Sequence, residues 1–140
     1  MDKKEKTIET LSRIAPELCQ KYNLDFLAVF GSVAKGKSRK NSDIDICFKG
    51  EINFDNELQL SLELSSLLGT NFIDLVNLKR PSPLLTYLAC KEAVLLYEKE
   101  KGLFANFRIY AFKHFVETKP LRELNFKRTL GYIKQLNYSS

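Results

Sequence analysis

Gly31-Ser32, followed ten residues later by Asp43-Ile44-Asp45, with a third acid at Asp74 inside an apolar run, is the arrangement whose residue types and spacing can do chemistry. Aspartates at i and i+2 of an extended strand project from one face. A third from a neighbouring strand would complete a multiply negative, oxygen-rich pocket. Such a pocket repels itself unless a cation enters it, and its donors are those that hard, octahedral Mg²⁺ accepts. Mg²⁺ keeps positions open for phosphate oxygens, so a nucleoside triphosphate is the expected ligand. Its tail would be gripped by the Gly31 and Ser32 amides and the Ser32 hydroxyl, with Gly31 allowing close approach of the backbone. Two ions about 3.5–4 Å apart would activate an acceptor hydroxyl and steady a leaving pyrophosphate. That chemistry is nucleotidyl transfer, with Asp43, Asp45 and Asp74 as metal ligands and Asp74 best placed to lower the acceptor hydroxyl's proton affinity, as base or through its metal.

An Asp-x-Asp pair alone carries little information. Requiring Gly-Ser at one fixed distance upstream makes chance occurrence about two hundredfold rarer, with each residue near 7% of positions. Asp43 by itself reads as a strand-start turn residue after Ser42. Asp45 and Asp74 sit in apolar strand sequence, where an unpartnered carboxylate is costly to desolvate. Pairing with Lys35, Lys37 or Arg39 is the competing structural explanation.

The elements that must position these groups follow from periodicity. Ile8, Leu11, Ile14 and Leu18 have the spacing of an amphipathic helix over 3–22. Leu24–Phe30 reads as a strand apolar on both faces, as in the middle of a covered sheet. Ser32 is expected to cap a short helix from Val33 to Gly36, and a polar loop over 37–42 leads to a second strand, Asp43–Phe48. Asp55 is expected to cap a helix ending at Gly69; Leu58, Leu60, Leu62 and Leu64 also fit strand alternation, but composition and the need for a crossover favour helix. Asn71–Val76 is a third strand, Leu84–Cys90 a short helix and Ala93–Tyr97 a fourth strand. Helices are expected over about 100–117 and, past Pro120, 121–136. The fold class is therefore α/β (α+β), a mixed sheet of about four strands flanked by helices. One domain is expected over 1–140, with a core of about 8–98 and a helical C-terminal segment of about 100–136.

The chain has 140 residues, 44% hydrophobic and 28% charged, with a net charge of +5, within the range of one globular domain. No apolar run approaches the roughly 20 residues of a bilayer span, and the charged N-terminus has no signal-peptide core, so the cytoplasm is the expected compartment. Cys19, Cys47 and Cys90 are widely spaced and read as core residues; neither a disulfide framework nor a zinc motif can be written from them. His114, the single histidine, lies in a Phe-rich helical stretch and reads as packed rather than catalytic. Residues 41–80 carry seven acids against three bases, flanked by two basic segments. Basic charge permits RNA binding, but no interleaved aromatics accompany the basic loop, so nucleic acid is not the expected partner. The stretch Leu103–Val116 has little polar face and is expected to contact the sheet and something else.

The run Phe30-Gly31-Ser32-Val33-Ala34-Lys35-Gly36 through Ser42-Asp43-Ile44-Asp45-Ile46, supported by Ile73-Asp74-Leu75-Val76, resembles the polymerase beta type nucleotidyltransferases and, among them, the minimal nucleotidyltransferases. The resemblance implies a polymerase-beta-like palm in which Asp43, Asp45 and Asp74 ligate Mg²⁺, and Gly31, Ser32 and Lys35 contact the ATP phosphates. Lysine at position 35, where relatives usually carry arginine, keeps the charge but not the two-pronged grip on phosphate. Minimal members are similar to antitoxins paired with a HEPN-domain ribonuclease toxin, some of which move AMP from ATP onto a tyrosine of that toxin. The resemblance thus implies a HEPN partner, a homo- or hetero-oligomer, and docking through the Phe-rich C-terminal helix. Two alternatives stand beside it. One is neutralisation of the toxin by contact alone. The other is transfer to a small molecule, against which the roughly 40 residues beyond position 100 weigh, being too few for a further substrate domain.

Overall fold

The expected alternation of helices and strands is present in the computed structural model, which describes residues 3–34 and 43–138, the side chains of Lys3, Lys4, Ser32, Val33, Asn137 and Tyr138 excepted. Helix α1 (Lys3–Tyr22) leads into strand β1 (Leu24–Phe30), from which a single turn, α2 (Gly31–Ala34), departs without a break. Strand β2 (Ile44–Gly50), helix α3 (Phe54–Leu68) and strand β3 (Ile73–Asn77) follow, then α4 (Pro83–Glu92), β4 (Val94–Glu98), α5 (Leu103–Glu117) and α6 (Lys119–Tyr138).

The four strands form one mixed sheet in the order β3-β2-β1-β4. Its most apolar strand, β1, is interior and pairs antiparallel with both β2 and β4, whereas β2 and β3 run parallel. A parallel neighbour cannot be reached by a tight hairpin, so the segment after β2 must cross over, and α3 is that crossover. Its leucines divide by helical geometry. Leu60 and Leu64, four residues apart, are buried, while Leu58 and Leu62 face outward. On one side of the sheet α1 and α3 pack Leu11, Leu18, Leu60 and Leu64 against Leu27, Val29, Ile44 and Ile46. On the other, Ala89, Cys90, Phe104 and Ala111 of α4 and α5 cover Phe26, Ala28 and Cys47. All three cysteines are buried and unbridged.

Several boundaries differ from expectation, each for a local reason. The cap of α3 is Asn53, whose side-chain oxygen accepts from the Asn56 amide at 2.8 Å; Asp55 lies inside the first turn, where its charge favours the positive end of the helix. Gly69 terminates α3 in the left-handed conformation, as expected. Asp43 precedes β2 rather than opening it, β3 starts at Ile73, and α4 begins at Pro83 with Ser82 as its cap. The turn after β1 begins at Gly31 itself rather than at Val33, and Gly36 lies outside the described residues, as do Lys35, Lys37, Arg39 and Ser42. Pro120 sits within the first turn of α6, where the absent N–H costs nothing.

Two fasteners hold the helices in place. The Glu98 carboxylate, at the end of β4, accepts from the Gly102 and Phe104 amides at 3.0 Å each, capping α5, and these amides hold Glu98 below its ordinary pKa. The Tyr22 hydroxyl donates to Glu63 at 2.7 Å, and Lys21 donates to both Glu63 oxygens at 3.2 and 3.1 Å, tying α1 to α3. Burial and Glu63 push Tyr22 up to about 12, while Tyr22 and Lys21 hold Glu63 below the ordinary carboxylate value. A depressed carboxylate stabilises the fold above its unfolded pKa and loses that contribution as pH falls through the folded one. Tyr22→Phe is therefore expected to cost about 1 kcal/mol at neutral pH, lowering Tm by a few degrees. The wild-type and variant Tm curves, read by circular dichroism, should converge below about pH 4.

Candidate active site

The period of two along β2 places Asp43, Asp45 and Cys47 towards one face and Ile44, Ile46 and Phe48 towards the other. The second set belongs to the core shared with α1 and α3, so the aspartates share the face that α4 and α5 cover. In β3, Ile73 and Leu75 pack towards the α1/α3 core and Val76 towards the other, which puts Asp74 on the aspartate face as well. Parallel pairing then sets Asp45 and Asp74 directly opposite one another. The Ile44 amide donates to the Phe72 carbonyl at 2.8 Å and fixes that register at its start.

The electrostatics follow. Asp45 is half-buried, and its pKa is raised, first by that burial, then by the Asp74 charge and then by Asp43. Asp43 and Asp74 are exposed. Exposure of Asp74 departs from the sequence expectation of an acid embedded in apolar surroundings. Its strand is at the sheet edge, which opens its flank to solvent.

On the other side of Asp45 stands the end of β1. Phe30 pairs with Asp45, and the next residue, Gly31, turns the chain with φ of +71°. A β-carbon at Gly31 would fall 2.1 Å from Asp45 Oδ2 and 3.0 Å from its Cγ. Close approach was expected at this glycine, but towards phosphate. What the structure places against it is the Asp45 carboxylate, a tertiary contact with no signature in local sequence. Of the remaining expected site residues, Ser32 is placed by its backbone in α2, while Lys35 lies outside the described residues. His114 is half-buried in α5 with its ring 5.6 Å from that of Tyr110, which agrees with a packing role.

The donor set fits a hard divalent cation. Three carboxylates face one region, two on in-register parallel strands, and the most buried of them binds protons more tightly than an ordinary aspartate because of its burial and the Asp74 and Asp43 charges. Among the described residues no three His, Cys, Asp or Glu side chains close into a cage that would hold an ion unaided. An open set of this kind suits Mg²⁺, which takes one or two carboxylates and completes its octahedron with water and phosphate oxygens.

The family model for polymerase beta nucleotidyltransferases matches residues 13–102, which runs from the middle of α1 to just past β4 and contains every candidate site residue. Among solved structures, a toxin–antitoxin complex with AMP-PNP is 21% identical and superposes with a TM-score of 0.73, covering 86% of this chain and 98% of that one. A tri-AMPylated Shewanella oneidensis HEPN toxin in complex with its MNT antitoxin matches at 17% identity and a TM-score of 0.70, covering 91% of this chain and 98% of that one. A structure assigned as a minimal nucleotidyltransferase is 30% identical with a TM-score of 0.55, covering 62% of this chain and 93% of that one. Nothing among curated protein sequences matches.

Proposed function

Because the chain belongs to the polymerase beta nucleotidyltransferase family, we propose that it transfers AMP from ATP to a hydroxyl of a protein partner, a tyrosine of a HEPN-domain ribonuclease toxin, and thereby acts as an antitoxin. The observation that carries the transfer is Asp45, held between Gly31 and Asp74 and flanked by Asp43 on a single sheet face. The partner rests on the toxin–antitoxin complexes, one of them with AMP-PNP and one with an AMPylated toxin, whose folds this chain shares.

Asp43, Asp45 and Asp74 would hold Mg²⁺, which when bound supplies the positive charge that offsets the α-phosphate and the departing pyrophosphate. The chain's own groups do the rest. Asp45, fixed by strand pairing and wedged against Gly31, sets the position of the set. The Gly31 and Ser32 amides and the Ser32 hydroxyl, at the start of α2, bind phosphate oxygens, with Lys35 adding charge. Asp74, exposed on the edge strand, is reachable by an incoming acceptor. It takes the hydroxyl proton as the acceptor oxygen bonds to the α-phosphorus and the bond from that phosphorus to the pyrophosphate oxygen breaks.

Incubating the protein with labelled ATP, Mg²⁺ and the HEPN-domain product of the neighbouring gene is expected to place label on the toxin. A toxin that stays unlabelled yet is neutralised would replace transfer by contact inhibition. Ser32→Ala is expected to weaken ATP binding only by about five- to tenfold, the worth of one hydrogen bond, whereas Asp substitutions remove turnover. Equal losses in a steady-state assay would contradict the separate roles assigned to them.

A further inference from the structure

The strands that carry the carboxylates end on a second cluster of functional groups. Along β2 the aspartate face continues from Asp45 through Cys47 to Lys49, and along β3 and just past its end from Asp74 through Val76 to Leu78. The parallel register that sets Asp45 opposite Asp74 also sets Cys47 opposite Val76, and the Leu78 amide carries it on by donating to the Phe48 carbonyl at 2.8 Å. One sheet face therefore passes from acid through apolar to base over four residues, about 13 Å at the rise of a strand. At its basic end is a cavity of about 490 Å³, lined by Lys49, Leu78 and Lys79 on one side and by Asn106, Phe107 and Tyr110 of α5 on the other. Helix α5 rests mainly on β1 and β4, so it flanks this half of the face.

The lining divides into an apolar wall and a cationic edge. The Phe107 and Tyr110 rings, 5.7 Å apart, form the wall with the buried Leu78, and Lys49 Nζ stands 5.6 Å over the Phe107 ring, so charge and wall belong to one site. Lys49 meets Asp25 only at 3.4 Å, and Lys79 pairs with the exposed Glu51. Solvent-exposed pairs contribute at most about 1 kcal/mol, so a carboxylate arriving from outside can displace either partner. An acceptor that reaches Asp74 comes to this half of the sheet, because the turn at Gly31, which ends β1, lies on the opposite side of Asp45. An acid directly beside the reacting hydroxyl would meet Asp43, Asp45 and Asp74. An acid about four extended residues away would meet Lys49 and Lys79 instead.

We propose that this cavity anchors a polypeptide acceptor, taking an apolar side chain against Phe107 and Tyr110 and a carboxylate on Lys49 and Lys79, about four extended residues from the hydroxyl presented at Asp74. This rests on the reading that the chain transfers AMP to a protein hydroxyl, and it adds the local sequence that the acceptor must carry, whichever protein supplies it.

The test uses short fluorescent peptides with one tyrosine, and with aspartate and leucine about four residues to one side of it or the other. Control peptides carry lysine in place of aspartate. Titrated against the full chain in Mg²⁺ without ATP, the acidic peptides of one orientation are expected to bind about tenfold tighter than their lysine counterparts, read by anisotropy. That preference should vanish or reverse in Lys49→Glu/Lys79→Glu, and Tyr110→Ala should weaken binding of the acidic peptide about tenfold. Circular dichroism would confirm that the variants are folded; Tyr110 is exposed, so its replacement decides the matter should the charge reversal unfold the chain. Equal affinity for acidic and lysine peptides, or binding unaltered in the folded variants, would overturn the proposal. So would displacement of the peptide by ATP in EDTA, which would give the cavity to the nucleotide. With ATP and Mg²⁺ added, peptides that bind through the cavity but are never labelled on tyrosine would refute the transfer reading and leave the anchor site standing; labelling with no preference for the acid would do the reverse.

Discussion

Asp45→Asn is expected to abolish AMP transfer and, in the absence of metal, to make the protein more stable. The first effect follows from removing the central carboxylate of the proposed Mg²⁺ site; a loss of about 4 kcal/mol of transition-state stabilisation corresponds to about a thousandfold in rate. The second follows from the sign of the Asp45 shift. Burial, Asp74 and Asp43 all raise its pKa, so the folded protein binds this proton more tightly than the unfolded chain. Stability then falls as pH climbs from the ordinary aspartate value, about 3.9, through the raised one. At neutral pH the charge is a net burden that asparagine removes. The variant's Tm should exceed that of the wild type by a few degrees at pH 7–8 in EDTA. The gap should close on acidification towards pH 4, where the wild type carries the proton itself. Added Mg²⁺ should raise the Tm of the wild type and leave the variant little changed. A wild type more stable than the variant in EDTA at pH 7 would show that Asp45 is paired with a cation of the chain, as in the competing explanation that invokes Lys35, Lys37 or Arg39.

Gly31→Ala should lose activity by another route. The left-handed φ of +71° costs an L-residue roughly 1–2 kcal/mol, and the new methyl group would overlap the Asp45 carboxylate. That carboxylate must turn away, and displacement of a reacting group by about 1 Å costs about a hundredfold. The expected outcome is transfer reduced by about two orders of magnitude, with Tm lower by several degrees. Paired with Asp45→Asn, this gives opposite stability effects from two substitutions that both silence the enzyme, and one thermal scan beside one transfer assay reads both. Near-normal turnover in Gly31→Ala would mean that Asp45 is not held where the geometry puts it.

Much of this was legible in the order of residues. Period two along 43–48 and the apolar run 24–30 each encode a local structure directly, composition, Gly69 and the need for a crossover decide for helix over 55–68 where the leucine spacing alone also fits a strand, and Gly-Ser at a set distance from Asp-x-Asp marks the candidate site. What was not legible depends on contacts between elements. The register that sets Asp45 opposite Asp74 comes from strand pairing, and the exposure of Asp74 comes from β3 being an edge strand. Neither leaves a trace in the residues beside Asp74, whose apolar neighbours suggested burial. Asn53 caps α3 in place of Asp55 because cap choice turns on the φ and ψ of one residue, and both side chains are suitable acceptors. The Gly31–Asp45 contact joins residues fourteen positions apart, so a reading along the chain assigned the glycine to phosphate alone. For α5 the expectation of two contact faces was met on one side by Phe104 and Ala111, while Ile109, Phe112 and Val116 remain exposed.

Titration calorimetry of ATP into the protein, with Mg²⁺ and with EDTA, for the wild type, Asp45→Asn and Asp74→Asn, addresses the convergence of the three carboxylates most directly. The expected result is uptake of ATP by the wild type that requires Mg²⁺ and is lost in both variants. Uptake of equal strength in all three proteins, unaffected by EDTA, would contradict it.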